Sequence, residues 1–479
     1  MNTPSNSLTT RREFLKTSAL VSSVLAAPAI LPSGALAAEK TDTIRVGLIG
    51  CGGRGSGAAS QALNADSNVE LTAMGDAFED QLQKSLQSLK KEHGDKVKVT
   101  SEQCFVGLDA YQKVINSGVD VVLLATPPGF RPVHFKAAVD AGKHVFCEKP
   151  MATDAPGVRS ILESVKVAKE KNLSIVAGYC WRRDTARREF YHRIHDGAIG
   201  DIRAIYATYY TGPVKPMPAP GERASGTGDL EWQLRNWYNF VWLSGDGYVE
   251  QCCHSVDKVA WGLKDQPPLK AVAVGGRQTP NNQGNIFDHM FVVYEFPNDV
   301  RAFVGQRQVG DCYSENSDYL MGSEGFGKIP GWQAPFIMGQ SVEGAGSAPG
   351  AAGIDLNGFS AEATAWINSL AAKRVATKSK TKSKGMWRYH DSGPKVDMYQ
   401  VEHNELFASI RSGKPINDGH WMAQSTLMGI MGRMAAYTGQ EVSWEQAMNS
   451  TEKLVPDNLD WNMKLDIAPM AMPGLTKVS

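Results

Sequence analysis

Residues 44–55 read IRVGLIGCGGRG, a strand of branched apolar residues that runs directly into a turn of regularly spaced glycines. Gly50 permits a sharp turn, Gly52 lets the backbone approach a pyrophosphate, and Gly55 lets the following helix pack close to the strand. The N-terminus of that helix would direct its free N–H groups at the phosphates. This stretch predicts a dinucleotide-binding unit, and the alternative is a glycine-rich surface turn without a ligand.

An acidic residue follows the second predicted strand. That strand runs from Val69 to Met74 and ends near Asp76, which lies 21 residues after Gly55. In dinucleotide-binding folds a carboxylate at this position hydrogen-bonds the ribose hydroxyls, which favours NAD over NADP. We therefore predict NAD as the cofactor.

Strands and helices alternate as far as residue 180, a pattern typical of a parallel sheet. The run Val119–Thr126 is predominantly apolar, as in a strand buried on both faces, and it ends at the sheet edge where ligands bind in open α/β folds. The other predicted elements are helices at Ala58–Leu63, Tyr111–Asn116, His134–Ala141 and Ala155–Lys171 and strands at His144–Cys147 and Leu173–Ala177.

The N-terminus carries a separate signal. Residues 10–16 read TRREFLK, and a modest apolar run from Ala19 to Leu31 precedes the small-residue sequence Ala35-Leu36-Ala37. This order predicts a twin-arginine signal peptide and export, for instance to the periplasm, of a protein already folded around its cofactor. The alternative is a basic, disordered N-terminus. The apolar run is too short to span a bilayer.

Composition excludes some partners. The 479 residues suffice for two domains, and 50 Lys and Arg balance 50 Asp and Glu, which argues against nucleic acid or an anionic membrane as a partner. The seven cysteines have neither metal-ligand nor disulfide spacing, so we expect most to be buried small hydrophobic residues. Residues 372–384 are basic, and we interpret them as a solvated surface insertion, with a polyanion-binding patch as the alternative.

Several motifs together resemble the Gfo/Idh/MocA family of oxidoreductases. The resemblance covers nearly all of the chain after the signal peptide and implies an α/β protein, with a Rossmann domain followed by an α/β domain that contains a large, open, mostly antiparallel sheet. Its substrates would be sugars, polyols or sugar derivatives. The motifs are the glycine turn, Asp76, residues 125–128 (ATPP), His134, residues 142–145 (GKHV), 147–150 (CEKP), 199–202 (IGDI), 322–325 (GSEG) and 413–419 (GKPINDG).

The resemblance also implies domain boundaries and a cofactor site. We predict a signal peptide at 1–37, a Rossmann domain at 42–180, a substrate-binding domain at 181–455, a C-terminal tail at 456–479 and a homo-oligomer. The predicted cofactor-binding residues are Gly50, Gly52, Gly53, Arg54, Gly55, Asp76, Thr126, Pro127, His134, Glu148 and Lys149.

Lys149 is the first predicted catalytic residue. Pro150 restricts it to an extended conformation, which fixes the direction of its side chain. An ammonium beside the nicotinamide can hydrogen-bond a substrate hydroxyl and stabilise the charge that develops on the oxygen as hydride leaves. The alternative is a surface ion pair with Glu148.

The segment Glu250–Trp261 carries the second group. Its apolar spacing predicts one helix, on which Glu250, His254 and Asp257 lie near one face. A histidine between two carboxylates is a candidate general base, with Asp257 assisting it. The same arrangement could also bind a metal or satisfy a buried histidine. Related family members have Asp-x-Gly-x-His-x-x-Asp here, whereas this chain has glutamate first and Cys252 in place of glycine.

Three further residues are predicted to bind substrate: Glu250, Tyr179 and Arg183. The aromatic residues Trp232, Trp237 and Trp242 suit either sugar stacking or a packed core. We expect no bound metal.

Two functions follow from these sites. The first is an exported NAD-dependent oxidoreductase that oxidises a secondary hydroxyl of a sugar or polyol. The second is an NAD-dependent glycoside hydrolase or lyase that works by transient oxidation and elimination without net redox change. A carbohydrate-binding protein with vestigial chemistry is a third possibility.

Overall fold

The computed structural model describes residues 42–280, 282–339, 385–390 and 397–477. The predicted signal peptide and the basic segment 372–384 lie outside the described residues.

A six-stranded parallel sheet forms the first half of the described chain. Its strand order is β3-β2-β1-β4-β5-β6, so the order reverses between β1 and β4, and a ligand site is expected outside the carboxyl ends of those two strands. The strands are β1 (Ile44–Ile49), β2 (Val69–Asp76), β3 (Cys104–Val106), β4 (Val121–Leu124), β5 (His144–Cys147) and β6 (Ile175–Ala177). The helices are α1 (Gly53–Ala65), α2 (Glu79–His93), α3 (Ala110–Asn116), α4 (Arg131–Asp140) and α5 (Ala155–Glu170).

Local sequence explains these elements. Every residue of β4 is buried, as expected for a strand covered by helices on both faces. Small side chains at Ala58, Ala59 and Ala62 let α1 pack close to the sheet. The side chain of Asp154 accepts a hydrogen bond from the Gly157 N–H at 2.8 Å and so caps α5. Helix α1 begins five residues earlier than the predicted Ala58, directly at the glycine turn.

A second, nine-stranded sheet follows. Its order is β14-β13-β12-β11-β7-β10-β9-β8-β15, and only the β7–β10 pair is parallel among the pairs described. The strands are β7 (Ile202–Thr211), β8 (Lys270–Gly276), β9 (His289–Glu295), β10 (Arg301–Gln308), β11 (Ser317–Gly322), β12 (Gly325–Pro330), β13 (Phe336–Gly339), β14 (Gly385–Arg388) and β15 (Val442–Ser443). The helices are α6 (Thr185–His195), α7 (Asp229–Arg235), α8 (Val241–Ser244), α9 (Gly247–Glu250), α10 (Cys253–Gly262), α11 (Met398–Ser412), α12 (Gly419–Thr438) and α13 (Trp444–Asn449).

The two sheets confirm the predicted fold class. Helices α10 and α12 lie against the second sheet, and their apolar residues join the core of the first sheet in one continuous cluster. The chain also returns to the first sheet late in the sequence, because Ile175 N–H donates to the Ile416 carbonyl at 2.7 Å. The domain boundaries at 180 and 455 stay a prediction.

Two further features concern partners and cysteines. No helix within the described ranges combines the length and apolar character needed to cross a bilayer. Five of the seven cysteines are buried, Cys104 is partly buried and Cys312 is exposed, and all seven are free thiols.

Candidate active site

A cavity of about 260 Å³ lies at the carboxyl ends of β1, β2 and β4. This is the position that the reversal in strand order predicts. Among the predicted cofactor residues it is lined by Gly50, Gly52, Asp76, Thr126, Pro127 and His134.

The glycine turn shapes the floor of this cavity. Gly50 has a φ of +92°, a left-handed conformation that favours glycine. A Cβ atom on Gly55 would lie 1.8 Å from the Gly50 carbonyl oxygen, so any side chain there would separate α1 from β1. A Cβ atom on Gly52 or Gly53 would meet no other atom within 4 Å. A phosphate therefore has room to approach the N–H groups of the first turn of α1. The residues present therefore fit a dinucleotide.

Asp76 stands at the end of β2 on the cavity wall. One carboxylate oxygen accepts from the Cys51 N–H at 2.6 Å and the other from the Phe78 N–H at 2.9 Å. These two bonds fix the carboxylate and leave it further lone pairs for ribose hydroxyls. Burial raises its pKa, and the two backbone hydrogen bonds oppose that shift.

His134 and Thr126 form another wall. The Thr126 hydroxyl lies 3.2 Å from His134 Nδ1, and the imidazole stacks on Tyr111 with ring centroids 4.1 Å apart. Burial, together with the smaller effect of the Arg131 charge, lowers the His134 pKa to about 3, so the ring is neutral at neutral pH. The wall presents a neutral polar surface to a ligand.

Arg54 and Glu148 lie behind the cavity lining and bind each other. The Arg54 guanidinium donates to Glu148 Oε1 and, at 3.0 Å, to Gln61 Oε1, and it stacks over Tyr399 at 4.8 Å. This pair links the start of α1 to the strand that carries Lys149. Neither side chain lines the cavity, and their contact with a cofactor stays a prediction.

Lys149 follows directly after Glu148 but points toward α9. Its Nζ donates to the Glu250 carbonyl oxygen at 2.7 Å, to Glu250 Oε1 at 3.2 Å and to Gln251 Oε1 at 3.2 Å. Burial alone would lower the Lys149 pKa, but the adjacent Glu250 carboxylate raises it above its usual value. Lys149 is therefore a fixed, protonated hydrogen-bond donor, and the ion pair with Glu148 that we considered as an alternative is absent from its contacts.

The prediction of one helix from Glu250 to Trp261 was wrong. Helix α9 ends at Glu250, and α10 begins at Cys253. The Cys252 N–H donates to the Gly247 carbonyl at 3.1 Å. This hydrogen bond joins residues i and i+5, so the turn between the helices is one residue longer than a normal α-helical turn. This turn directs Glu250 toward Lys149 and removes the shared helix face that the spacing predicted.

His254 lies in the first turn of α10 and is only 7% exposed. Its Nδ1 has no hydrogen-bond partner among the described residues, and its ring meets Tyr179 edge-on with centroids 6.4 Å apart. Burial, followed by the charges of Lys149 and Lys258, lowers its pKa well below the usual value. The imidazole is neutral and free to accept a proton.

Asp257 belongs to a different network. It accepts from Arg182 Nη2 at 2.7 Å and from the Ser425 hydroxyl at 2.7 Å, and Arg182 also binds Asp265. Burial raises the Asp257 pKa, and Arg182 opposes that shift. The predicted assistance to His254 therefore has no contact to support it, and Asp257 positions α10 against α12.

The two other predicted substrate residues also have internal partners. The Tyr179 hydroxyl lies 3.1 Å from the Thr426 hydroxyl, and Arg183 binds Asp418 at 2.5 Å and Glu405 at 3.2 Å. Both side chains hold neighbouring elements together.

Three polar residues near Lys149 were missed in the sequence. Gln251 donates to the Tyr209 hydroxyl at 2.7 Å, and Tyr209 pairs in register with Gln306 on the neighbouring strand. Both polar atoms of the Gln306 amide are buried without a hydrogen-bond partner among the described residues. The parallel pairing of β7 and β10 brings Tyr209 beside Gln306, and no local sequence motif predicts this pairing.

The tryptophans divide between a core and the cavity. Trp232 and Trp242 are buried in a small apolar cluster, whereas Trp237 lines the nucleotide cavity. Within the part of the chain that the structure describes, no group of three or more His, Cys, Asp or Glu side chains could hold a metal.

Comparison with known proteins places this geometry in a family context. Residues 44–179 match the Gfo/Idh/MocA family model, described as an oxidoreductase family with an NAD-binding Rossmann fold. The chain is similar to inositol 2-dehydrogenase 4 of Saccharopolyspora erythraea (30% identical over 173 residues, 36% of this chain and 47% of the relative). It is also similar to a glycosyl hydrolase family 109 protein of Shewanella sp. (27% over 215 residues, 42% of this chain and 45% of the relative).

The chain thus matches about half the length of these curated relatives. Solved structures extend the likeness in fold to both halves. A levoglucosan dehydrogenase in complex with NADH and levoglucosan has a TM-score of 0.60 at 17% identity, over 85% of this chain and all of that one. An aldose-aldose oxidoreductase of Caulobacter crescentus has a TM-score of 0.58 at 16% identity, over 84% of this chain and 99% of that one. The family model and the inositol dehydrogenase relatives support the Gfo/Idh/MocA resemblance.

Proposed function

We propose that this protein is an NAD-dependent oxidoreductase that oxidises a secondary hydroxyl of a sugar, polyol or sugar derivative. One observation carries the proposal: Lys149 is a fixed ammonium bound to Glu250 and Gln251, and His254, whose Nδ1 has no partner among the described residues, follows at the start of α10. Such a pair can stabilise a developing oxyanion and take up the hydroxyl proton. The nucleotide cavity lies at the carboxyl ends of β1, β2 and β4, and Lys149 follows β5, which pairs with β4.

The protein residues divide the work. When bound, NAD supplies the hydride acceptor. Lys149 exchanges its hydrogen bond to Gln251 Oε1 for one to the substrate oxygen, while the Glu250 carbonyl and carboxylate hold the ammonium in place. His254 takes the hydroxyl proton, and the low pKa keeps it ready to do so at neutral pH. Gln251 and Tyr209 form a polar boundary on the side of the second sheet.

We propose NAD rather than NADP because Asp76 lines the cavity at the end of β2. A carboxylate accepts hydrogen bonds from the ribose hydroxyls and repels a 2′-phosphate. Measured dissociation constants for NADH and NADPH test this preference, which a tighter complex with NADPH would contradict.

The second candidate function is the redox-neutral glycoside hydrolase or lyase. The similarity to a glycosyl hydrolase family 109 protein favours it. Transient oxidation would use the same Lys149 and His254, and elimination of the leaving group would follow before the hydride returns. Release of an aryl aglycone without accumulation of NADH would identify this reaction.

Export and self-association complete the proposal. The TRREFLK sequence supports export through the twin-arginine pathway, and secretion of a fusion that carries residues 1–41 tests it.

The outer face of the second sheet exposes Val272 and Val274, which are 44% and 70% exposed and occupy alternate positions of β8. We propose that this face supports a homo-oligomer, which light scattering can measure.

A panel of polyols and sugars tests the main proposal. Purified protein is mixed with NAD and, in turn, with inositol, levoglucosan and common aldoses, and formation of NADH is followed by absorbance. We expect one class of carbohydrate to give NADH. The proposal fails if cofactor binds but none of the carbohydrates is either oxidised or cleaved.

A further inference from the structure

The outer wall of the nucleotide cavity comes from the second half of the chain. It is lined by Lys215, Leu234, Arg235 and Trp237, which come well after His134, the last lining residue of the first half. Among them Arg235 lies over Phe78, which follows Asp76 at the end of β2. Because Asp76 marks the ribose position, these residues surround the adenine end of the cavity.

These lining residues belong to a structured unit, which we call the cover and define as residues 212–244 and 451–466. The cover has its own apolar cluster, separate from the main core. The two segments are tied together, because Gln233 donates to the Leu465 carbonyl at 2.8 Å and the Leu465 N–H donates to Asp229 at 3.2 Å. The cluster includes Leu230, Trp232, Leu234, Phe240, Trp242 and Leu243, with Leu454, Leu459, Trp461 and Leu465 packed against them.

The cover is fastened to the turn after β2. The Arg235 guanidinium lies 4.0 Å from the centre of the Phe78 ring and 3.3 Å from the Asp80 carboxylate. Trp461 packs against the same phenylalanine with ring centroids 5.7 Å apart. Glu231 binds Arg235 at 2.9 Å, so two carboxylates already neutralise this arginine and it needs no phosphate partner.

We propose that the cover closes the adenine end of the cavity and that the nucleotide is held as a resident group, with Trp237 as a contact of the adenine. This inference rests on the nucleotide site proposed above. A ligand enclosed by a packed apolar cluster can leave only when that cluster separates from the β2–α2 turn. Dissociation is therefore slower than from an open Rossmann cleft.

Release of NADH from the full-length protein tests the proposal. The protein is loaded with NADH, passed through a desalting column and mixed with excess NAD, and loss of the bound NADH fluorescence is timed. We expect NADH to survive desalting and to leave slowly. Trp237→Ala should speed release by roughly tenfold, the scale of an aromatic contact with the base.

Two variants provide the comparison. Trp237→Phe keeps an aromatic ring and should retain slow release. It is therefore also the control for a folding defect in the alanine variant. Trp332→Ala alters a tryptophan that is 70% exposed and does not line the cavity, so its release rate should equal that of the wild type. Rapid release by the wild type, or equal release rates in Trp237→Ala and Trp332→Ala, would overturn the cover. A denatured wild-type protein that releases no nucleotide, together with failure of the folded protein to bind added NADH or NADPH, would instead overturn the proposed function.

Discussion

The nucleotide end and the substrate end of the site are built in opposite ways. The floor and inner walls of the nucleotide end come from short stretches that follow one another between Ile49 and His134, and only its outer wall comes from the cover. The substrate end joins Lys149 to α9, α10 and the second sheet across about a hundred residues of sequence, and its polar groups are almost fully buried. The first end depends on backbone shape and the second on the electrostatics of a few side chains. Substitutions should therefore act on cofactor affinity at one end and on turnover at the other.

Lys149→Ala should give the largest effect. Lys149 acts on charge that develops during the reaction, so turnover should fall by about 100-fold or more, while the Kd for NADH stays nearly unchanged. Steady-state kinetics and NADH titration measure the two quantities. Lys136→Ala is a matched control, because Lys136 pairs only with Asp140 on an exposed helix face. A normal turnover number with a raised KM would limit Lys149 to positioning the substrate.

His254→Asn should change the pH profile as well as the rate. The imidazole must be neutral to accept a proton, and burial lowers its pKa, so activity should be lost only as pH falls below the ordinary value of about 6.5. The kcat/KM profile of the wild type should show this acidic limb, and the variant should lack it. An acidic limb that persists unchanged in the variant would assign the proton to another group.

Asp76→Ala should act at the other end of the site. Loss of hydrogen bonds from a charged group to the ribose should weaken NADH binding by about 1.5–3 kcal/mol. The turnover number at saturating cofactor should change much less than it does in Lys149→Ala. Asp140→Ala is the control, because Asp140 pairs with Lys136 on an exposed helix face and does not line the cavity. Unchanged affinity in Asp76→Ala would show that another residue binds the ribose.

The smallest effect is expected in stability, at a pair of glutamines beside the substrate end. Gln308 exchanges hydrogen bonds with the Tyr238 hydroxyl, at 2.9 and 2.6 Å, whereas the Gln306 amide has no partner among the described residues. Gln308→Leu should lower the free energy of unfolding by about 1–3 kcal/mol because it leaves a buried hydroxyl unpaired. Gln306→Leu should be close to neutral. Urea denaturation of both variants measures the difference, and an equal loss would mean that Gln306 is paired in the folded protein.

The same contrast explains what the sequence could predict. The parallel sheet, the glycine turn and Asp76 at the end of β2 follow from local patterns, because each depends on residues close together in the chain. The turn between α9 and α10 could not be predicted in this way, because the additional residue at Gln251–Cys252 interrupts a regular helical spacing. The partners of Asp257 and the cover over the cavity depend on contacts from α12 and from residues 451–466, which no spacing encodes.

The central claim is that hydride passes between a carbohydrate carbon and the nicotinamide. It is tested most directly by mixing NAD-loaded protein with carbohydrates that carry deuterium on the carbinol carbons. The protein is then denatured, and the nucleotide is analysed by mass spectrometry. The account predicts a nucleotide heavier by one deuterium with at least one carbohydrate, and much less label in Lys149→Ala. A nucleotide that stays bound but gains no deuterium, from a carbohydrate that the protein demonstrably oxidises, would contradict it.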